Sequence, residues 1–141
     1  TVEKEMQVTF TFNATGINLT DTASKEYQNL KNETEIYLFQ HFKNLTELVS
    51  VSVTHLRSGS LVVDFVLILK KEPDINQFIQ VVKILLSQTN IDIGGQNVSV
   101  HAVKVNGTEL STNSTLCEIR DSIKKCNNSE VCIINGTTTH C

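Results

Sequence analysis

A serine that directly follows a glycine in a tight turn can attack the carbonyl group of that glycine. Gly59 and Ser60 stand in this relation within the stretch Arg57-Ser58-Gly59-Ser60. Attack of the Ser60 Oγ on the carbonyl carbon of Gly59 would convert the peptide into an ester, which water can then open. This N-to-O acyl shift strictly needs no second catalytic residue.

Strain in the turn decides whether the reaction is fast enough to matter. A planar, resonance-stabilised peptide resists attack, and twisting it by roughly 12° costs about 1 kcal/mol. A turn in which folding stores about 5 to 7 kcal/mol would gain about four to five decades in rate, since each ~1.4 kcal/mol is worth tenfold. Folding energy would then drive the cut.

Two predicted strands position this turn. Val49, Val51 and Val53 alternate with polar residues, which is the period-two pattern of a half-buried strand. The run from Leu61 to Leu69 is almost entirely apolar, is rich in β-branched residues and is too short for a membrane helix, so it is predicted to be a central strand. Together they predict a hairpin whose turn contains Gly59.

The turn and its second strand resemble the cleavage motif of the SEA domain, a module of cell-surface mucins, adhesion-type seven-helix receptors and membrane-anchored proteases. Self-cleaving members carry Gly-Ser followed by three aliphatic residues, as in Gly59-Ser60-Leu61-Val62-Val63 here. The resemblance implies cleavage between the Gly and the Ser, with Ser60 as nucleophile and Gly59 as the scissile carbonyl. It also implies two fragments that stay together as a non-covalent heterodimer.

Other residues extend the resemblance from about Met6 to Val105. Arg57 matches the residue that precedes the family's cleavage turn, and Ser24 to Tyr27 match a Ser-x-Glu-Tyr start of the first helix. Ser58 departs from the pattern, because some members have proline there. A more flexible residue at this position is expected to lower the strain, which leaves the rate of cleavage open.

Composition limits the other functions that the chain could have. Its 141 residues and 40% hydrophobic content suit one domain with a short appendage. A net charge of −3 without a basic cluster argues against nucleic-acid binding. A turnover enzyme has little support, since there is no Ser/His/Asp arrangement, close carboxylate pair or Gly-rich phosphate loop, and no cofactor or metal is expected. His41, near the end of a predicted helix, is interpreted as a structural residue.

Asn-x-Ser/Thr sites are the strongest compositional signal. Nine are present, where roughly two to three would occur by chance at this content of Asn, Ser and Thr. Such sites are glycosylated in the secretory pathway and must lie on the surface. Together with the resemblance, they imply the extracellular side of the plasma membrane. With no signal-like stretch and no run of eighteen apolar residues, the chain is expected to be an ectodomain piece whose membrane anchor lies outside it. The predicted glycosylation sites are Asn13, Asn18, Asn32, Asn44, Asn97, Asn106, Asn113, Asn127 and Asn135.

The remaining elements complete an α+β fold. A first strand alternates from Met6 to Phe12, and a helix is predicted over 23–43 with N-cap candidates at 21–24. Asp74 and Gln77 form a plausible capping box for a second helix that runs to about Gln88. A turn at 94–95 leads to a fourth strand from Val98 to Val105, whose change of parity at residues 101 and 102 predicts a bulge.

The order β-α-β-β-α-β predicts a ferredoxin-like (SEA) two-layer sandwich, with a four-stranded sheet and two helices on one face. The first and third strands are expected to be central and parallel. On the third strand Leu61, Val63, Phe65 and Leu67 should face the helices. The opposite face, with Val62 and Ile68, is apolar enough to be covered by a neighbouring domain, by a second copy or by the tail. The alternative is that it reflects strand propensity alone.

Four cysteines follow in a C-x8-C-x5-C-x8-C spacing, at Cys117, Cys126, Cys132 and Cys141. Zinc modules usually bring paired ligands two to four residues apart, so disulfides are predicted, with all three pairings open. A short helix is expected between the first two cysteines. We therefore divide the chain into a SEA domain at 1–110 and a cysteine-containing appendage, or the start of the next extracellular module, at 111–141.

Two functions remain in competition. The first is an extracellular module that cuts itself once and serves as a mechanical release or shedding point in a surface receptor or mucin. The second is an uncleaved adhesion or spacer domain that binds a protein or glycan ligand. The expected partners are its own two fragments, the neighbouring extracellular domains of the parent chain and such a ligand.

Overall fold

The computed structural model describes residues 4–13, 23–57, 61–93 and 96–141. The described part of the chain contains three helices and eight strands. The elements are β1 (Lys4–Asn13), α1 (Lys25–Phe42), β2 (Leu48–Arg57), β3 (Leu61–Leu69), α2 (Ile75–Leu86), β4 (Ile91–Ile93), β5 (Gln96–Val105), β6 (Thr108–Leu110), α3 (Leu116–Ile123), β7 (Ile133–Asn135) and β8 (Thr138–His140).

The main sheet has the strand order β2-β3-β1-β5-β4, with β6 also paired to β5. The prediction of four strands is therefore wrong, because the short strands β4 and β6 extend the sheet on either end of β5. The expectation that the first and third strands are parallel is wrong as well, since β1 pairs antiparallel with β3. The crossover through α1 makes β1 and β2 run in the same direction, and the hairpin then reverses β3.

Strand β6 follows a tight turn at Asn106, which was predicted only to be a glycosylation site. Asn106 and Gly107 both have positive φ, at 49° and 88°, which is the backbone of a type I′ hairpin turn. Asn-Gly directly after the apolar alternation of β5 is a hairpin signal, so this turn could have been predicted. The turn predicted at 94–95 lies outside the described residues, although β4 and β5 pair antiparallel on either side of it.

The core lies between the main sheet and helices α1 and α2. The faces predicted for β3 are confirmed, since Leu61, Val63, Phe65 and Leu67 are all buried while the residues between them are half-buried. Four aromatic rings join the layers: Phe42 of α1 lies 6.4 Å from Phe10, 6.0 Å from Phe65 and 6.3 Å from Phe78, between ring centroids. This cluster ties both helices to the two central strands.

Bulges shift the register in two of the long strands. The bulge predicted in β5 is confirmed: Thr11 pairs with Ala102 and Phe12 with Val100, so His101 is the extra residue. In β2 the register shifts at Val49 and again at residue 54. The first shift leaves Val49 42% exposed, so its predicted place on the buried face is wrong.

Capping side chains set the starts of the helices. Helix α1 begins after its N-cap Ser24, and α2 begins after Asp74, whose carboxylate accepts the Gln77 N–H at 2.9 Å. The second half of the predicted capping box is absent among the described contacts of α2, because the Gln77 side chain donates instead to the carbonyl of Asn44 at 2.5 Å. Helix α3 carries a complete capping box between Thr115 and Glu118.

The cysteine-containing appendage packs on the rest of the domain through α2. Leu116 and Ile119 of α3 belong to the same buried cluster as the sheet. From the small hairpin, Thr139 donates two hydrogen bonds to the Asn76 Oδ1, at 2.8 Å from its N–H and at 3.0 Å from its hydroxyl. The appendage is thus docked on the start of α2.

Candidate functional site

The turn that was predicted to react joins β2 to β3. Ser58, Gly59 and Ser60 lie outside the described residues, so the site is defined by the strand ends on either side. Arg57 is the last residue of β2 and pairs with Val62, while Leu61 pairs with Phe12 on the other side of β3. The chain is therefore held by a ladder immediately before the turn and by another immediately after it.

The three aliphatic residues that follow the turn divide between two faces. Leu61 and Val63 are fully buried, with exposed fractions of 1% and 0%, and Val62 lies half-buried on the open face of the sheet. Anchoring Leu61 in the core fixes the backbone one residue after Ser60. Aliphatic residues at these positions therefore have a packing role that the structure explains.

On the open face, Arg57 is bound back onto the sheet. Its guanidinium lies 3.1 Å from the carboxylate of Asp64, which also accepts the Thr9 hydroxyl at 2.7 Å. The partners are 52% and 30% exposed, so the ion pair contributes at most about 1 kcal/mol. A shallow cavity of about 200 Å³ beside it is lined by Thr9, Arg57, Lys104 and other residues of the sheet.

Helix α1 covers the outer edge of β2. The Leu56 N–H donates to the buried Tyr27 hydroxyl at 3.2 Å, and the Val53 N–H donates to Glu35 Oε2 at 2.8 Å. The Ser24 to Tyr27 segment, chosen for its resemblance, thus supplies both the helix N-cap and a contact to the strand that enters the turn. Sequence reasoning missed Glu35, which no local pattern distinguishes from the other acidic residues of α1.

The other end of α1 carries His41, whose ring lies 4.7 Å from that of Tyr37 in an edge-to-face arrangement. Burial lowers the pKa of His41 and raises the pKa of Tyr37 to about 12. Fourteen residues of helix separate His41 from Tyr27, or about 21 Å along the axis. His41 is therefore remote from the strand end at Leu56, which fits the structural role expected of it.

A groove lies between α1 and the first half of β2. It has a volume of about 330 Å³ and is lined by Glu35, Ile36, Phe39, Gln40, Ser50 and Val51. Ile36 is 63% exposed and Phe39 is 40% exposed, so the rim of this α1–β2 groove is apolar. Large exposed apolar side chains that cluster in this way are typical of interaction surfaces.

The described sequon asparagines all lie at the surface. Asn18 lies outside the described residues, and each of the other eight is exposed. The Asn106 side chain also donates to the Ser122 carbonyl at 3.3 Å, which brings the β5–β6 turn against α3. The exposed positions are Asn13, Asn32, Asn44, Asn97, Asn106, Asn113, Asn127 and Asn135.

All four cysteines form disulfides, as predicted. Cys117 is bonded to Cys132 and Cys126 to Cys141, so the first pairs with the third and the second with the fourth. These bonds tie both ends of the β7–β8 hairpin to α3 and to the segment after it. Disulfides persist in oxidising compartments such as the extracellular space.

Within residues 4–13, 23–57, 61–93 and 96–141, no group of three or more His, Cys, Asp or Glu side chains is placed to hold a metal ion. Over the same ranges, every helix is too short or too polar to cross a membrane.

Comparison with known proteins identifies the fold family. No curated protein matches the chain. A sequence model of the SEA domain family matches residues 4–100, from the first residue of β1 into β5. The match covers more than half of the chain, which therefore belongs to the SEA domain family, a family of extracellular modules.

Proposed function

We propose that this SEA domain cuts its own chain once, between Gly59 and Ser60, and remains a non-covalent heterodimer that separates under force. The observation that carries the proposal is the interleaving of the two fragments in one sheet. The N-terminal fragment would contribute β1 and β2, and these alternate with β3 and β5 of the C-terminal fragment in the order β2-β3-β1-β5.

The proposed reaction needs no reagent other than water. The Ser60 Oγ forms a bond to the Gly59 carbonyl carbon, and the bond from that carbon to the Ser60 nitrogen breaks. The hydroxyl proton ends on the nitrogen, which becomes the free α-amine of Ser60. Water then hydrolyses the ester, which leaves a carboxylate on Gly59 and restores the Ser60 hydroxyl.

The strand ends support the strain that this reaction needs. Arg57 is fixed by its pairing with Val62 and by its ion pair with Asp64, and Leu61 is fixed by burial and by its pairing with Phe12. The four residues 58–61 must span the gap between the Arg57 and Val62 pair. A short connection between anchored ends can store strain, and ~1.4 kcal/mol of it accelerates the acyl shift about tenfold.

The interleaved strands also support a stable heterodimer. Separation of the fragments would break three ladders, β2 with β3, β1 with β3 and β1 with β5. Each buried core side chain that spans the two fragments contributes about 1.5 to 3 kcal/mol, and the fragments share the whole core cluster. The summed contribution of these side chains exceeds the association cost of about 4 to 15 kcal/mol only when the whole sheet and both helices are folded. The cleaved domain should therefore hold at rest and come apart when the fold is pulled open.

The setting that we propose is the ectodomain of a glycosylated surface receptor or mucin. Eight exposed sequons and two disulfides support passage through the secretory pathway. In such a protein the domain would act on itself alone, without turnover of an external substrate. Cleavage would let the outer part be shed while the anchored part stays at the membrane.

The test is to secrete the protein from animal cells and remove its glycans. Mass spectrometry should find one fragment that ends at Gly59 and one that starts at Ser60. The fragments should co-elute in native size exclusion and separate in urea. The S60A variant should stay intact with an unchanged circular dichroism spectrum, because only the nucleophile is removed. Recovery of intact wild-type chain alone would refute self-cleavage.

The α1–β2 groove favours a second candidate function, an uncleaved spacer that binds a partner. Ile36 and Phe39 form an exposed apolar rim, which suits a protein ligand better than a glycan. Binding of the secreted domain to cells should then fall in an I36K variant. Equal cell binding by the I36K variant and the wild type would exclude the groove as the binding surface.

A further inference from the structure

Strand β2 lies at one edge of the main sheet, with β3 as its described neighbour. The N–H groups on the outer side of an edge strand have no ladder partner and need another acceptor. Here two of them are bound by side chains of α1: Leu56 N–H by the Tyr27 hydroxyl at 3.2 Å and Val53 N–H by Glu35 Oε2 at 2.8 Å. The helix therefore replaces the missing strand at these points.

These two hydrogen bonds lie on either side of the bulge at Thr54. Before the bulge Val53 pairs with Phe65, and after it Leu56 pairs with Val63. Without the extra residue the strict alternation of a strand would turn His55, rather than Leu56, toward the core. The bulge is what leaves Leu56 2% exposed and sends Arg57 to the open face, where it meets Asp64.

The register of β2 also decides how the strands enter the turn. With the bulge, Arg57 pairs with Val62 and the residues 58–61 connect them. If the bulge were lost, the register established before Thr54 would continue and would bring Arg57 opposite Leu61. The connection would then shorten from the four residues 58–61 to the three residues 58–60.

We infer that Tyr27 and Glu35 are positioning residues for the self-cleavage, because they hold β2 in the bulged register that sets how Arg57 enters the connection to β3. The inference rests on the proposed function. Neither side chain touches the scissile peptide; each acts through the backbone of β2. Removal of one of these two hydrogen bonds should slow cleavage roughly three- to tenfold if the free energy of that bond is transmitted to the turn.

The test compares two tyrosine variants on the same helix. Y27F removes the hydroxyl that binds Leu56, and Y37F removes a buried hydroxyl that has no hydrogen-bond partner among the described residues. A pulse-chase experiment in secreting cells follows the appearance of the fragments on reducing gels. Y27F should cleave roughly three- to tenfold more slowly than wild type, and Y37F at the wild-type rate.

A loss of overall stability must be separated from a loss of positioning. V98A, which truncates a buried side chain of β5, supplies a destabilised variant in which the α1 hydrogen bonds are kept. In S60A protein, hydrogen exchange of the Leu56 amide should be faster with Y27F than with Y37F. If V98A slows cleavage as much as Y27F at equal loss of urea resistance, Tyr27 acts through stability alone and the inference is overturned.

Glu35 gives a second test that does not disturb the core, since its side chain is only partly buried. E35M keeps the length of the side chain and removes the acceptor, so it should slow cleavage. E35Q retains an oxygen that can accept the Val53 N–H and should restore the rate. Wild-type rates in Y27F and E35M would overturn the inference and leave the proposed function standing, whereas an uncut wild type would overturn both.

Discussion

The ring of Phe42 offers the sharpest test of how the two fragments would hold together. Phe42 is fully buried in α1, within the N-terminal fragment, and its neighbours Phe65 and Phe78 belong to the C-terminal one. Replacement by alanine leaves a cavity between the fragments and should cost about 3 to 5 kcal/mol. With a urea dependence of about 2 kcal/mol per molar, the transition should move about 1.5 to 2.5 M lower.

The assay is size exclusion and circular dichroism of the cleaved protein along a urea series, with all variants at one concentration because association depends on it. Fragment separation and loss of the dichroism signal should coincide in both wild type and F42A. The matched control is F39A, three residues earlier on the same helix and 40% exposed, which should shift the transition by less than about 0.5 kcal/mol in stability. Equal shifts in F42A and F39A, or separation of the fragments while the fold persists, would refute a heterodimer held by the shared core.

Three more outcomes are expected. Peptide mapping without reduction should recover the first cysteine linked to the third and the second to the fourth; a link between the first two would contradict the structure. Burial lowers the pKa of His41, so the unfolded state binds the proton more readily than the folded state. The free energy of unfolding should therefore have its full value above about pH 6.5 and should fall as the pH drops below that value. Urea midpoints at pH 8 and pH 5 should show this fall, and the H41Q variant should show a smaller one. Pulling the cleaved protein with optical tweezers from Lys4 and Cys141 should separate the fragments at a lower force than pulling from Asn13 and Cys141, because β1 then opens one pair at a time from Lys4. Equal forces would contradict this order of opening.

Local patterns in the sequence were enough to predict the elements that frame the turn. The alternation from Leu61 to Leu67 matches the buried face of β3 because one side of that strand packs on the helices. The change of parity near residue 101 correctly predicted a bulge. Both are properties of a single segment and depend little on what it packs against.

Features that depend on two distant segments were harder to predict. The disulfide pairing could not be chosen, since spacing alone allows three connectivities. The antiparallel pairing of β1 with β3 follows from the path through α1, which periodicity does not report. The hydrogen bonds of Tyr27 and Glu35 to the edge of β2 depend on where α1 crosses that edge, so only the structure shows them.

The antiparallel topology has a mechanical consequence for a cleaved SEA domain. β1 begins at Lys4, opposite the last residue of β3, Leu69, and β5 ends at Val105, opposite Val8. The start of the N-terminal fragment and the exit of β5 toward the appendage therefore lie at the same end of the sheet, away from the cleavage turn. Force between them opens the β1 ladders one pair at a time from that end, whereas force applied from opposite ends would load all pairs together. Since an intact turn would keep β2 joined to β3 after β1 had opened, cleavage at the far end converts this unzipping into complete release.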